Sequence, residues 1–235
     1  MPNRCLLYYI TDRSQFRGDE RARRRALLDK IIEAVRAGVD YIQLREKDLS
    51  TRALEILARE TLTAMRNGVP LRTENREPRT GFRTRLLINS RTDVALAAGV
   101  DGVHLRADDL SPREVRAVVG LSAHQPPAPD RFFVAVSCHT AANVFRAESE
   151  AADFAVFAPV FEKKAAPALE KKNTPPTGLA DLREACRANI PVLALGGVNL
   201  ENAASCLNAG AAGIAAIRLF QENRIEDIVR KLRAL

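Results

Sequence analysis

Three polar side chains stand at alternate positions in the stretch Tyr41–Ser50, whose sequence is YIQLREKDLS. The stretch begins with apolar residues of high β-propensity and then becomes charged, as expected where a strand ends. Because side chains alternate between the two faces of a strand, Gln43, Arg45 and Lys47 are predicted to lie on one face. Two cations beside an amide could bind an anionic ligand that also forms hydrogen bonds. Solvated charges at a strand end are the alternative, and this stretch alone leaves it open.

Polar residues also follow the other apolar runs of the chain, and they could extend the same site. They are Thr11, Asp12, Asn89, Ser90, Arg91, His104, Asp108, Asp109, Ser137, His139, Lys163, Lys164, Gly196, Gly197 and Arg218. The set has an excess of cations, which favours an anionic ligand. His139, in the motif SCHT, is the candidate for proton transfer near neutral pH, whereas His104 could be simply a core or rim residue.

The elements that would position these residues follow a pattern of a strand and then a helix, repeated eight times. The predicted strands are 5–12, 41–47, 86–90, 102–105, 132–137, 154–160, 191–197 and 213–217. The predicted helices are 20–37, 50–65, 93–98, one that begins at a capping box at 111–114, 141–152, 179–188, 201–208 and 225–235. Strands that alternate with helices pair in parallel, and their near-continuous apolar runs indicate burial on both faces.

Eight such units in 235 residues predict one (β/α)8 barrel domain over residues 1–235. A doubly wound open sheet is the alternative, but no GxGxxG motif follows the first strand. Barrel enzymes build their sites at the carboxyl ends of the strands, so the polar residues above would share one mouth. Two long connections, 67–85 and 120–131, are predicted insertions on the opposite face. A third, 161–177, lies on the side of the mouth and is either a lid over an anionic substrate or a solvated loop.

Two groups of residues suggest phosphate and metal binding. Gly196 and Gly197 follow the seventh strand, where a backbone without side chains can approach a phosphate, and Arg218 could donate to the same phosphate. An exposed arginine at a helix start is the alternative for Arg218. Asp108 and Asp109 could ligate Mg²⁺, with Asp109 favoured, although an acidic pair also stabilises the start of a helix.

Composition excludes several classes of protein. The net charge of +7 comes without any tryptophan and with three tyrosines, so no aromatic platform for nucleic acid accompanies it. The four cysteines form no CxxC pair, which argues against a disulfide framework and a zinc site and favours a reducing cytoplasm. We expect no signal peptide and no membrane-spanning segment. The sequence leaves the oligomeric state open, and a homo-oligomer is compatible with it.

The motifs YYITD, QLREK, LLINS-RTDVALAAGVDGVHL, SCHT, LALGGV and AGAAGIAAI resemble, in this order, those of the thiamin phosphate synthase and thiazole tautomerase superfamily. The resemblance covers nearly the whole chain apart from the two insertions. It implies a (β/α)8 barrel that joins hydroxymethylpyrimidine diphosphate to thiazole phosphate and releases pyrophosphate with Mg²⁺. Pyrophosphate would leave first, and the thiazole nitrogen would then capture the pyrimidine carbocation.

The resemblance also implies roles for individual residues. The pyrimidine diphosphate would be held by Gln43, Arg45, Lys47 and Asn89, with Ser137 and either Lys163 or Lys164 on its pyrophosphate. The thiazole phosphate would be held by Gly196, Gly197 and Ile217, with Arg218 beside them. The metal would be held by Asp109, and the catalytic set would be Arg45, Lys47 and His139.

Two residues depart from the synthase pattern. Ser90 stands where the family has a second aspartate that ligates Mg²⁺, and Arg218 stands where it usually has serine. The tautomerase branch also lacks the metal aspartate, which favours an isomerase that uses His139. Two points argue against the isomerase. The tautomerase does not keep the complete QxRxK set, and Lys47 has no obvious use in a reaction that releases no pyrophosphate. A barrel that binds a thiazole or pyrimidine phosphate without catalysis is the third hypothesis.

Overall fold

The computed structural model describes residues 4–68, 84–121, 132–162 and 175–235. The strands are β1 (Leu6–Ile10), β2 (Tyr41–Leu44), β3 (Arg85–Asn89), β4 (Gly102–Leu105), β5 (Phe133–Cys138), β6 (Phe154–Phe157), β7 (Val192–Ala194) and β8 (Gly213–Ala216). The helices are α1 (Glu20–Ala37), α2 (Thr51–Gly68), α3 (Thr92–Ala98), α4 (Pro112–Leu121), α5 (Ala141–Ser149), α6 (Gly178–Ala185), α7 (Ala203–Asn208), α8 (Arg218–Gln221) and α9 (Ile225–Arg233). A 3₁₀ turn, Arg13–Gln15, follows β1.

All eight strands pair in parallel in sequence order, and the sheet closes on itself. Tyr8 of β1 is in register with Tyr41 of β2 on one side and with Ala215 of β8 on the other. A closed sheet leaves β1 no free edge, which excludes the doubly wound alternative. The predicted (β/α)8 barrel is confirmed.

Several helix boundaries follow from local chemistry that the sequence displays. Helix α1 has the predicted limits: the Asp19 side chain accepts a hydrogen bond from Ala22 N at 2.8 Å, and Gly38 ends the helix with φ +81°. At the start of α4, Ser111 and Glu114 form the predicted capping box, with Ser111 N donating to the glutamate at 2.7 Å.

Other predicted elements were too long. The sixth strand ends at Phe157 rather than at residue 160, and a cis peptide bond joins Ala158 to Pro159 beyond its end. The seventh ends at Ala194 rather than 197, since Gly196 and Gly197 both have positive φ. The fifth helix ends at residue 149 rather than 152, and the last ends at 233 rather than 235.

The barrel has two hydrophobic layers, as expected from strands buried on both faces. Alternate strand residues fill the interior, where aromatic rings from different strands meet: the ring centroid of Tyr8 is 5.6 Å from that of Phe154 and 5.9 Å from that of Tyr41. The other strand residues pack against the helices, for example against Leu27 and Ile31 of α1. The interior is therefore a packed core, and a ligand must bind at its mouth.

Three aspartates form hydrogen bonds that link neighbouring strands at the amino-terminal face of the barrel. Asp40, Asp101 and Asp153 each precede an even-numbered strand and accept a backbone N–H from the strand before it. Each aspartate also pairs with an arginine, and Arg233 near the end of the chain reaches Asp40 at 2.7 Å. In a barrel this face serves stability rather than chemistry.

The predicted long connections lie largely outside the described residues. For the connection 161–177 both ends are described, and they meet: Gly178 N donates to Val160 O at 3.1 Å, and Thr177 N donates to Pro159 O at 2.9 Å. The two predicted insertions, 67–85 and 120–131, and the lid role of 161–177 stay predictions. In the described ranges no helix combines the length and apolar character needed to cross a bilayer.

Candidate active site

A buried acid holds the loop after β2, the loop that carries two of the candidate cations. Glu46 is buried, whereas Arg45 before it is half-buried and Lys47 after it is exposed. Thr11 Oγ1 donates to Glu46 Oε1 at 2.6 Å and accepts from Arg45 N at 3.0 Å. The loop is thereby tied to the end of β1. Gln43, the third member of the predicted set, is buried on the inner face of β2, in register with Ile10.

Arg13 completes this arrangement from the turn after β1. Its backbone N donates to Glu46 Oε2 at 2.9 Å, and its guanidinium reaches the same oxygen at 3.2 Å. The guanidinium also donates twice to Asp48, which lowers the pKa of that carboxyl below its ordinary value. Arg13 thus offsets part of the negative charge of Glu46 and Asp48 in a loop that also carries Arg45 and Lys47.

The end of β3 has an unusual backbone at the position of the missing aspartate. Ser90 has φ +62°, in the left-handed region, and its hydroxyl accepts from Asn89 Nδ2 at 3.1 Å. Asp93, three residues on, lies in the first turn of α3, where Arg91 Nη2 donates to it at 2.5 Å and lowers the pKa of its carboxyl. The register places Asn89 directly beside His104 of β4.

His104 lies beneath the mouth rather than at its rim. Its Nδ1 is 3.1 Å from the Tyr8 hydroxyl oxygen, and its Nε2 is 2.8 Å from Ser137 Oγ. Burial, together with the positive charge of Arg45, lowers the pKa of His104 to about 3. The imidazole is therefore neutral near pH 7, and its contact with Ser137 joins it to the candidate set.

The two candidate metal aspartates are both paired with an arginine. Arg106 Nη2 donates to Asp108 at 2.6 Å, and Arg106 N donates to Asp109 Oδ2 at 2.7 Å. Asp109 and Ser137 line a common cleft of about 130 Å³. Among the described residues, no cluster of three or more His, Cys, Asp or Glu side chains could hold a metal ion. One carboxylate fits Mg²⁺ only where a phosphorylated ligand supplies further oxygens.

His139 is exposed at the mouth, with one ring nitrogen fixed. Its Nδ1 is 2.6 Å from Ala158 O, and because a carbonyl can only accept, the proton must lie on Nδ1. In the neutral imidazole Nε2 then has a lone pair. This geometry suits a proton acceptor at the mouth.

The two glycines after β7 are needed for packing. A side chain at Gly196 would meet Pro159 Cα at 2.6 Å, and one at Gly197 would meet Glu162 O at 2.5 Å. Phe161 N also donates to Gly196 O at 3.0 Å. The close approach predicted for a phosphate is therefore made, at least in part, by the chain's own loop after β6.

The remaining candidates lie at β8 or outside the described residues. Ile217 is half-buried just before the short helix α8, and Arg218 is exposed at its first position. Lys163 and Lys164 lie outside the described residues, so their predicted contact with pyrophosphate stays a prediction.

Four residues of this region were missed by the sequence reasoning as site residues: Tyr8, Arg13, Glu46 and Arg106. Glu46 had a signal, because it stands between two residues predicted to face the ligand and must therefore face the other way. Arg106 also had one, since it precedes two aspartates by two and three residues. Tyr8 and Arg13 contact residues that are distant in sequence, so the local pattern gives no signal for them.

Comparisons with known proteins agree with one another. The family model described as "Thiamine monophosphate synthase" matches residues 7–220. A putative thiamine-phosphate synthase of Geobacter sulfurreducens is 39% identical over 90% of this chain and 84% of its own, and a thiamine-phosphate synthase of Roseiflexus sp. (strain RS-1) is 36% identical over 90% and 76%. The solved structure of thiamine phosphate pyrophosphorylase from Pyrococcus furiosus has a TM-score of 0.72 at 25% identity and covers 99% of this chain and 95% of that one.

Proposed function

The chain belongs to the thiamine monophosphate synthase family, and we propose that it is a thiamin phosphate synthase. It joins hydroxymethylpyrimidine diphosphate to thiazole phosphate and releases pyrophosphate. The observation that carries this proposal is the loop after β2, where buried Glu46 faces the protein and sets Arg45 and Lys47 on either side of it. Two cations on one loop suit a reaction whose leaving group is a diphosphate.

The bond that breaks joins the pyrimidine methylene carbon to the diphosphate oxygen. Its electron pair leaves with the pyrophosphate, and the developing negative charge lies against Arg45 and Lys47, with Asn89 and Ser137 as neutral donors. Cations beside the leaving group stabilise this charge as it develops. The thiazole nitrogen then supplies the electron pair of the new bond to the methylene carbon.

The thiazole phosphate is assigned to the ends of β7 and β8. Gly196, Gly197 and Ile217 line that part of the mouth, and Arg218 adds a cation there. The glycines also pack against the described start of the loop after β6, at Phe161 and Glu162.

Mg²⁺ is part of the proposal, with Asp109 as its protein ligand. Asp109 is half-buried and keeps one oxygen 3.6 Å from Arg106 Nε, so the diphosphate and water must supply most of the coordination. When bound, the ion neutralises charge on the diphosphate.

Thiazole tautomerase is the second candidate, and the orientation of His139 favours it. The Nδ1–H donation to Ala158 O leaves Nε2 as a base at the mouth, which a proton shift in the thiazole would need. A barrel that binds the phosphates without catalysis is the third candidate. We also propose a cytoplasmic location, which is supported by the four free cysteines.

One assay separates the three candidates. Purified protein is given both substrates with Mg²⁺, and released pyrophosphate and thiazole tautomers are measured in parallel. A synthase releases pyrophosphate in step with thiamin phosphate and restores growth of a thiamin auxotroph. Interconversion of tautomers without pyrophosphate release would assign the isomerase, and binding without either reaction would assign the non-catalytic barrel.

A further inference from the structure

A buried chain of hydrogen bonds runs from β1 through β4 to β5 beneath the mouth. It consists of the Tyr8 phenol, the His104 imidazole and the Ser137 hydroxyl, with distances of 3.1 Å and 2.8 Å. Tyr8 is fully buried, His104 is 2% exposed, and Ser137 is half-exposed. Only the last member of the chain can therefore touch a ligand.

The phenol must be the donor of its pair. Burial raises the pKa of Tyr8 well above its ordinary value, so the hydroxyl keeps its proton. A buried O–H needs an acceptor, and within the described part of the chain the atom that lies in reach is His104 Nδ1. Nδ1 therefore accepts, and the single proton of the neutral imidazole lies on Nε2.

This tautomer decides the direction of the Ser137 hydroxyl. Nε2–H donates to Ser137 Oγ, so the serine's own hydrogen cannot return to the imidazole and must point elsewhere. In the opposite tautomer Nε2 would take the serine hydrogen, and only lone pairs of Oγ would face the mouth. Lone pairs repel an anionic oxygen, whereas an O–H donates to it.

We propose that Tyr8 and His104 are positioning residues that make Ser137 a hydrogen-bond donor to the diphosphate of the substrate. Neither residue touches the ligand, and both act through Ser137. The inference rests on the proposed function for the identity of the anion. It extends that function by assigning a role to a buried histidine that takes no part in proton transfer.

The sharpest test removes one oxygen atom. Tyr8→Phe keeps the ring but loses the donor that fixes the tautomer, and Tyr9→Phe is the matched control. Tyr9 is the next residue on β1 and is also fully buried, but its phenol donates to Gln221 on the other side of the sheet. Affinity for inorganic pyrophosphate is measured by calorimetry, so the test does not require turnover.

We expect Tyr8→Phe to weaken pyrophosphate binding by roughly 3- to 10-fold and Ser137→Ala by roughly tenfold, as for loss of one hydrogen bond to an anion. The Tyr9→Phe variant should bind like the wild type. In the Ser137→Ala background, Tyr8→Phe should cost nothing further, because the two act on the same bond. Three results would overturn the inference. Tyr9→Phe could weaken pyrophosphate binding as much as Tyr8→Phe does, the losses of the two single variants could add in the double variant, or the wild type could fail to bind pyrophosphate.

Nitrogen-15 NMR tests the tautomer directly in the resting protein. We expect His104 Nε2 to be protonated and Nδ1 unprotonated, with its signals assigned by their loss in His104→Gln. In Tyr8→Phe the two nitrogens should move toward average values as both tautomers become populated. Protonated Nδ1 in the wild type would refute the inference even if the protein makes thiamin phosphate. If the NMR and binding results are as expected but the protein makes no thiamin phosphate, the inference stands and the proposed activity is refuted.

Discussion

The carboxylate of Glu46 and the guanidinium of Arg13 form an ion pair withdrawn from solvent, with Nη1 3.2 Å from Oε2 and side chains 1% and 5% exposed. Thr11 donates to the other carboxylate oxygen and accepts from the backbone of Arg45. One buried acid therefore ties the first strand to the loop that carries both candidate catalytic cations.

Removal of this acid should destabilise the fold more than removal of an exposed one. We expect Glu46→Ala to lower the free energy of unfolding by about 3 kcal/mol, because it leaves Arg13 buried with a partner missing. Glu46→Gln should cost less, since its amide oxygen still accepts from Thr11. Glu60→Ala, which breaks the half-exposed pair with Arg24, should cost below about 1 kcal/mol. Urea unfolding of the three variants checks the order, and equal losses would contradict it.

Lys47 is exposed, so its replacement should affect catalysis without affecting stability. We expect Lys47→Ala to reduce the rate of pyrophosphate release by roughly 100-fold, because the variant lacks one positive charge that stabilises the leaving group. The free energy of unfolding should change by less than about 0.5 kcal/mol. Lys231→Ala, at an exposed position of α9, is the control and should match the wild type in both measurements. An unchanged rate in Lys47→Ala would remove the main argument for a synthase over a tautomerase.

The barrel could be predicted because its signals are local and repeated. Each unit shows an apolar run and an amphipathic helix. Capping residues, such as Gly38 and the capping box at Ser111, mark where helices end and begin. The errors came where backbone geometry interrupts an apolar run. The positive φ of Gly196, for example, lies just past the end of a strand that composition alone would continue.

The site was predicted less completely, because its supporting contacts join distant parts of the chain. Its position at the end of the fourth predicted strand made His104 a candidate, but its partners Tyr8 and Ser137 lie 96 and 33 residues away in sequence. Only the register of a closed barrel brings them together. The aspartates of the opposite face did leave a signal, since Asp40, Asp101 and Asp153 each stand just before a strand.

Ser90 offers a way to test the metal proposal by restoring a ligand. Aspartate tolerates the left-handed backbone of this position better than most residues. We therefore expect Ser90→Asp to fold and to lower the Mg²⁺ concentration needed for half-maximal pyrophosphate release by about tenfold. Mn²⁺ binding followed by electron paramagnetic resonance should strengthen in parallel. Ser90→Ala is the control, and a shift of similar size in that variant would mean that the added carboxylate does not bind the ion.

Cys138 stands between Ser137 and His139 but should be chemically inert. Burial raises the pKa of its thiol to about 12, so only about one molecule in ten thousand carries a thiolate at pH 8. We expect iodoacetamide to leave Cys138 unmodified in the folded protein and to modify it after denaturation, as read by peptide mass mapping. Cys138→Ala should keep its rate of pyrophosphate release within about twofold, and a large loss would point to a role that burial argues against.

Neutral His104 should make the protein less stable in mild acid. Its folded pKa of about 3 lies below the ordinary value of 6.5, so between these values the unfolded chain binds one proton more than the folded protein. The free energy of unfolding must then fall as pH falls, by about 1.4 kcal/mol per pH unit for this one group. Urea unfolding at pH 7, 6 and 5 measures the slope. His104→Gln, which cannot ionise, should be less stable at pH 7 but should lose less stability on acidification, and equal slopes in the two proteins would show that His104 is protonated in the folded state.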